Sequence, residues 1–196
     1  MQPPARAFVH AVRWKGPAGV GKGGMPAVQH GKVTGHPCLP YIEPGQVAMN
    51  KVEKSQPPAL SIAELERFLG TEFPQVFNSA SGISIEEVWR GGARVRQAYR
   101  HAFIRPGGTL SGPTMMALAD FAMYVAVLAA VGPVPLAVTT GLNINFLRKP
   151  GAADLLAEAK LMKLGKRLAV GEVAIRSAGG AELVAHATST YSIPRP

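Results

Sequence analysis

Asp120 is one of only two aspartates in the 196-residue chain, the other being Asp154, and its neighbours along the chain are Met, Ala, Leu, Phe, Tyr and Val. A carboxylate in such company must be paired or put to use. As a working group it is a general base for an attacking water, or itself the nucleophile on an acyl carbonyl, with burial raising its basicity near neutral pH. As a structural group it is a polar pin, hydrogen-bonded to a strand hydroxyl or to a neighbouring chain. Acyl chemistry also needs donors for a developing oxyanion, and a helix N-terminus offers free N–H groups and the positive end of a dipole. Gly112 stands eight residues before Asp120, where such a helix would begin. Without a side chain it lets a ligand approach the main chain closely, whereas Pro113 has no N–H to give. A plain capping glycine is the alternative for Gly112.

Other chemistries find no residues. The five histidines (10, 30, 36, 101 and 186) are scattered, there is no His-x-x-x-His, and the single cysteine, Cys38, makes neither a disulfide nor a Cys-based zinc site. Neither a Walker loop nor a G-x-G-x-x-G after a strand occurs, so nucleotide hydrolysis and dinucleotide binding are set aside, and no cofactor is expected. His101 reads as a loop histidine and His186, alternating with Val184 and Thr188, as a sheet residue.

The elements that must position Asp120 follow from periodicity. Ser61 with Glu64 makes a capping-box pattern, and Ile62, Leu65, Phe68 and Leu69 form one apolar face, which predicts a short helix ending near Gly70. Ile83 to Trp89 and Ala93 to Arg100 read as a hairpin turning at Gly91-Gly92, the second strand having an apolar face and a basic one (Arg94, Arg96, Arg100). After a loop from His101 to Leu110, Ser111 is placed to cap a long apolar helix, with Pro113 in its first turn and Gly132, Pro133 and Pro135 ending it. Four further extended runs follow: Leu136 to Leu147, Asp154 to Leu164, Leu168 to Arg176 and Ala181 to Tyr191. Asn143, Asn145 and Thr139 are expected on one face of the first of them, lining a site or an intersubunit contact. The expected fold class is α+β, a curved antiparallel six-stranded sheet wrapped around one long central helix, because a helix apolar nearly all round cannot face water.

The stretch Gly112-Pro-Thr-Met-Met-Ala-Leu-Ala-Asp120, the stretch Thr139-Thr-Gly-Leu-Asn-Ile-Asn-Phe-Leu-Arg-Lys-Pro150, and the order strand, strand, central helix, four strands resemble the hotdog-fold thioesterases, specifically the PaaI-like acyl-CoA thioesterases, over about residues 80 to 192. The resemblance implies an acyl-CoA thioesterase in which Asp120 activates water or attacks and the Gly112 N–H stabilises the oxyanion. It also implies a homodimer or homotetramer with the site between subunits. Such enzymes commonly carry His-Gly-Gly before the helix and an Asn in the preceding loop; this chain has Ser111-Gly112-Pro113, and Arg105 near the Asn position. That departure keeps a second reading open, a hotdog domain that binds acyl-CoA without turning it over. Ser111 is a candidate substrate contact. Arg148 and Lys149 at a strand end, and Lys163, Lys166 and Arg167 around Gly165, are candidates for the coenzyme A phosphates, Arg148 and Arg167 ahead of the lysines because a guanidinium grips phosphate bidentately. Solvated charged turns are the competing reading of both clusters.

Composition bounds the rest. With 21 Lys+Arg against 12 Asp+Glu the net charge is +9, yet +4 of it lies in residues 1–48. Residues 1–58 are punctuated by Pro and Gly and have no helical or strand period, so they are expected to form a disordered basic extension, with residues 59–196 as the folded domain. Met49 opens a polar lead into the first periodic segment and is a candidate translation start. Nucleic-acid binding is not expected, since the basic tail lacks interleaved aromatics. The apolar run Thr114 to Val131 carries Asp120 mid-span, which argues against a membrane helix, and the lone cysteine and absent secretory pattern fit a cytoplasmic protein.

Overall fold

A computed structural model describes residues 56–194. Residues 1–55 of the expected extension, with Cys38 and the candidate start at Met49, therefore lie outside the described residues. Gln56 already meets the domain, its carbonyl accepting the Arg90 N–H at 3.2 Å, and the Ala59 N–H donates to the Ala129 carbonyl at 2.7 Å.

Helix α1 spans Ile62–Glu72 and opens with the expected capping box: the Ser61 hydroxyl accepts from the Glu64 N–H while the Glu64 carboxylate accepts from the Ser61 N–H. It buries Leu65 and Leu69. The helix passes through Gly70 and ends at Glu72, two residues beyond the expected stop, because a glycine in an exposed last turn costs only about 1 kcal/mol and meets no steric obstacle.

The six-stranded antiparallel sheet is assembled from β1 (Ile83–Trp89), β2 (Gly92–Gln97), β5 (Val138–Phe146), β6 (Leu155–Leu164), β7 (Leu168–Ser177) and β8 (Leu183–Ser192), in the order β1-β2-β6-β7-β8-β5. A two-stranded ribbon, β3 (Ile104–Arg105) and β4 (Thr109–Leu110), occupies the segment expected as loop, turning at Gly107 and Gly108, both at positive φ. The first hairpin turns at Arg90-Gly91, not Gly91-Gly92. Gly92 already pairs with Trp89 in the ladder, and a Cβ there would collide with the Trp89 ring. Strand β2 stops at Gln97, not Arg100, because the Tyr99 N–H leaves the ladder to donate to Asp154 Oδ1 at 2.8 Å. The basic face of β2 is a neutralised one: Arg94 bridges Glu87 and Glu158, each at 3.0 Å, and Arg96 bridges Glu86 and Asp154.

Helix α2, Gly112–Val131, lies against one face of this sheet. It is the one described helix long and apolar enough to cross a membrane, and most of it is buried among the strands instead, with Met123, Val125, Val127 and Leu128 wholly enclosed. Alternation along β7 and β8 supplies the other half of the core through Ala169, Val173, Ile175, Ala185 and Ala187. Gly171 makes room at the closest approach: a Cβ there would meet both the Lys160 carbonyl and the Met123 thioether at 2.7 Å.

Candidate active site

Asp120 emerges from the middle of α2 half-buried rather than fully enclosed. Both hydroxyls that reach it bind the same oxygen: Oδ1 accepts from Thr139 Oγ1 at 2.5 Å and from the Tyr191 hydroxyl at 2.8 Å. No described donor reaches Oδ2. The polar pin to a strand hydroxyl is therefore made by Oδ1, and Oδ2 is left open. Beside it the rings of Phe73, Phe121, Tyr124 and Tyr191, with Val76 and Ala137, line an open cleft of about 390 Å³.

Sheet register brings the hydroxyls together. Thr139 and Tyr191 sit directly opposite one another in the β5–β8 ladder, so their side chains share a face, the one that α2 crosses at Asp120. A β-bulge between Thr139 and Gly141 then inverts the parity of the rest of β5. Leu142 and Ile144 pack on the core, and Asn143 and Asn145 are exposed on the opposite face. The expectation that Asn143 and Asn145 share a face with Thr139 is therefore corrected: one extra residue flips every side chain after it. Tyr191 is the participant that sequence reasoning missed. It was visible only as the aromatic among the inward positions of the last strand, and nothing in the sequence pairs it with Thr139.

At the start of α2 the capping is done by Ser111, whose hydroxyl accepts from the Thr114 N–H at 3.4 Å and bonds the Thr114 hydroxyl at 2.9 Å. Among the first N–H positions of the helix, Pro113 has none and Thr114 is capped, so Gly112 alone keeps a free N–H. The ring of Phe146, at the end of β5, lies over Gly112, 3.2 Å from where a Cβ would stand. Gly112 and Asp120 are eight residues apart on one helix, about 12 Å at 1.5 Å per residue. Within one chain they cannot touch the same carbonyl group.

This fold has known relatives. A profile of the thioesterase superfamily matches residues 107–184. A protein of Saccharolobus solfataricus, provisionally named an esterase, is 30% identical over 138 residues, 70% of this chain and 89% of its own. A crystal structure from Silicibacter sp. TM1040, provisionally named a thioesterase, superposes with a TM-score of 0.64 at 42% identity, covering 70% of this chain and 94% of that one. The chain belongs to the hotdog-fold thioesterase superfamily. A mutant form of the phenylacetic acid degradation protein PaaI from Thermus thermophilus is also similar, with a TM-score of 0.54 and 30% identity over 62% of this chain and 99% of that one. Thioester hydrolysis is the activity these relatives support.

The basic residues of this thioesterase fall into two groups at opposite ends of the sheet. Arg148 pairs with Glu182 at 3.1 Å, and its N–H and that of Leu147 donate to the Val184 carbonyl, fixing it at the start of β8. The Arg167 carbonyl accepts the Ile193 N–H just past the end of β8, with Lys166 exposed in the same β6–β7 turn and Lys163 exposed near the end of β6. Nine residues of strand separate Val184 from Ile193, about 30 Å, so the two groups do not form one patch within a chain. His186 is a sheet residue on the exposed face, bonded to Glu172 at 3.1 Å.

Proposed function

We propose that this thioesterase hydrolyses acyl-CoA thioesters, with Asp120 as the acting carboxylate and the Gly112 N–H of a second copy of the chain as the oxyanion donor. The observation that supports it is the Asp120 carboxylate at an apolar cleft with one oxygen tied and the other free. Oδ2 takes a proton from a water that adds to the thioester carbonyl, or adds itself; either way the carbonyl oxygen gains negative charge, the C–S bond breaks and coenzyme A leaves as thiolate. In the first case the thiolate takes up the proton from Asp120; in the second, water then hydrolyses the mixed anhydride to free acid and restores the carboxylate. The cleft holds the acyl part, and its volume suits a small or medium group.

The 12 Å between Gly112 and Asp120 makes a homodimer part of the proposal. Strand β5 is an edge of the sheet and carries exposed Val138, Phe146 and Leu147, an arrangement open to pairing with another strand. Antiparallel pairing of two β5 strands about a twofold axis would set the Phe146 end of one chain, with Gly112 beneath the ring, beside the partner's Thr139 end, where Asp120 is held. The same operation brings Arg148 of one chain towards the Lys166–Arg167 turn of the other, which would place both groups around one set of coenzyme A phosphates.

Thiol release from a panel of short, long and arylacetyl-CoAs tests the proposal, with Asp120→Asn alongside. The variant is expected to lose hydrolysis by two or more orders of magnitude, of the size usual for a missing acid–base group, while its affinity for acyl-CoA stays close to that of the wild type. Undiminished turnover in Asp120→Asn would end the assignment. Saturable binding of acyl-CoA without turnover in the wild-type protein would make the chain a binder.

A further inference from the structure

We propose that Tyr191 is a positioning residue, whose hydroxyl acts with that of Thr139 to hold Asp120 so that Oδ2 alone faces the cleft. The inference rests on the role given to Asp120 above and concerns what makes that carboxylate a competent base. A carboxylate is free to turn about its last side-chain torsion, which is broad and twofold. Two hydroxyl donors on one side fix the plane of the carboxylate, because any partial turn breaks both hydrogen bonds and a half turn only exchanges two equivalent oxygens, leaving one bonded and one facing the cleft.

Tyr191 is built for the task. It is 3% exposed, its ring lies nearly parallel to that of Tyr124 at 6.2 Å and 17°, and its hydroxyl is also 2.9 Å from the backbone carbonyl of Asp120. The one phenol proton is thus shared between the carboxylate and the helix main chain of the same residue. Burial, foremost, and the neighbouring carboxylate push its phenol well above the ordinary tyrosine range, so it stays protonated and serves as a donor. The ionisable groups lining the cleft are Glu72 from α1, Asp120 and Tyr124 from α2, and Tyr191 from β8. Glu72 and Tyr124 make no hydrogen bond to Asp120 among the described contacts, which leaves the two hydroxyls as its direct partners.

A hydroxyl donor favours the charged form of the carboxylate that accepts it, so its removal is read in the pH dependence of turnover. Tyr191→Phe keeps the ring and its stacking and removes only the hydroxyl. In the full chain, kcat is expected to fall about tenfold with KM little changed, and the acidic limb of kcat/KM against pH to move up by about one unit, the scale of one hydrogen bond to a charged group. Thr139→Val should shift the limb the same way. A second measurement needs no turnover: with only two aspartates in the chain, Asp-selective carbon-13 labelling yields two carboxyl signals, and Asp154→Asn identifies the one belonging to Asp120. That signal should shift in Tyr191→Phe, because the carboxylate loses a donor. A limb and a carboxyl signal that both stay in place in Tyr191→Phe, whatever happens to kcat, overturn the proposal by reducing Tyr191 to packing. If Asp120→Asn is inactive in that case, Tyr191 alone is struck out; full turnover in Asp120→Asn strikes out the base and the positioning role together.

Discussion

The separation of Gly112 and Asp120 along one helix makes a quantitative complementation experiment possible. Take one chain carrying Asp120→Asn and another carrying Gly112→Val, the latter pushing a branched side chain against the Phe146 ring, already 3.2 Å from a bare Cβ, and across the approach to the free N–H. Each homodimer has two damaged sites and is expected to be inactive. In the heterodimer, if each site takes its carboxylate from one chain and its N–H from the other, one site receives both intact groups and the second receives neither. Differently tagged chains, co-expressed and purified through both tags, should therefore show about half the wild-type kcat per dimer with an unchanged KM. An untagged random mixture, half heterodimer, should show about a quarter. Thiol release from the best acyl-CoA of the panel is the assay. If Gly112 and Asp120 of the same chain served one site, no chain in the mixture would hold both groups, and activity would stay at the background of the parents. That result, with the heterodimer confirmed by native mass spectrometry, refutes the argument from helix rise.

Three further outcomes follow from the fold. Gly171→Ala places a methyl 2.7 Å from the Lys160 carbonyl and the Met123 thioether, and should lower unfolding free energy by about 1–3 kcal/mol in urea titrations. Ser61→Ala breaks the capping box of α1, with an expected cost of about 1 kcal/mol in the same titrations. Asp154 is held below the usual carboxylate range by the Tyr99 N–H first and the Arg96 guanidinium second. Its contribution to stability is therefore present above the unfolded-state pKa and is lost as pH falls through the lower folded-state value. Asp154→Asn should thus destabilise the protein at neutral pH and progressively less under acid, read as thermal midpoints across a pH series; a destabilisation independent of pH would contradict the assigned cause.

The secondary structure was legible because its signals are local. Ser61 and Glu64 mark the start of α1, Ser111 and Pro113 the start of α2, and the all-round apolar character of α2 requires a sheet to enclose it; each of these is a property of a few adjacent residues. The candidacy of Asp120 was legible for the same reason, a lone carboxylate in an apolar helix. The errors came where a distant segment intervened. Gly92 reads as a turn residue until the Trp89 ring is seen lying on it, and β2 reads through to Arg100 until Asp154 captures the Tyr99 N–H.

Local signals along the chain were enough for the elements, their order and the candidacy of Gly112 and Asp120 on α2. The partners of those two residues came from the assembled sheet. The β5–β8 register sets Thr139 opposite Tyr191, the bulge after Thr139 turns Asn143 and Asn145 away from the helix, and the length of β8 keeps Arg148 apart from Lys166 and Arg167. Register and bulges depend on how one strand is aligned with another, and a displacement of one residue exchanges the two faces of a strand without altering its composition. Composition is therefore blind to them, and the hydroxyls that hold Asp120 became visible only once the sheet was assembled.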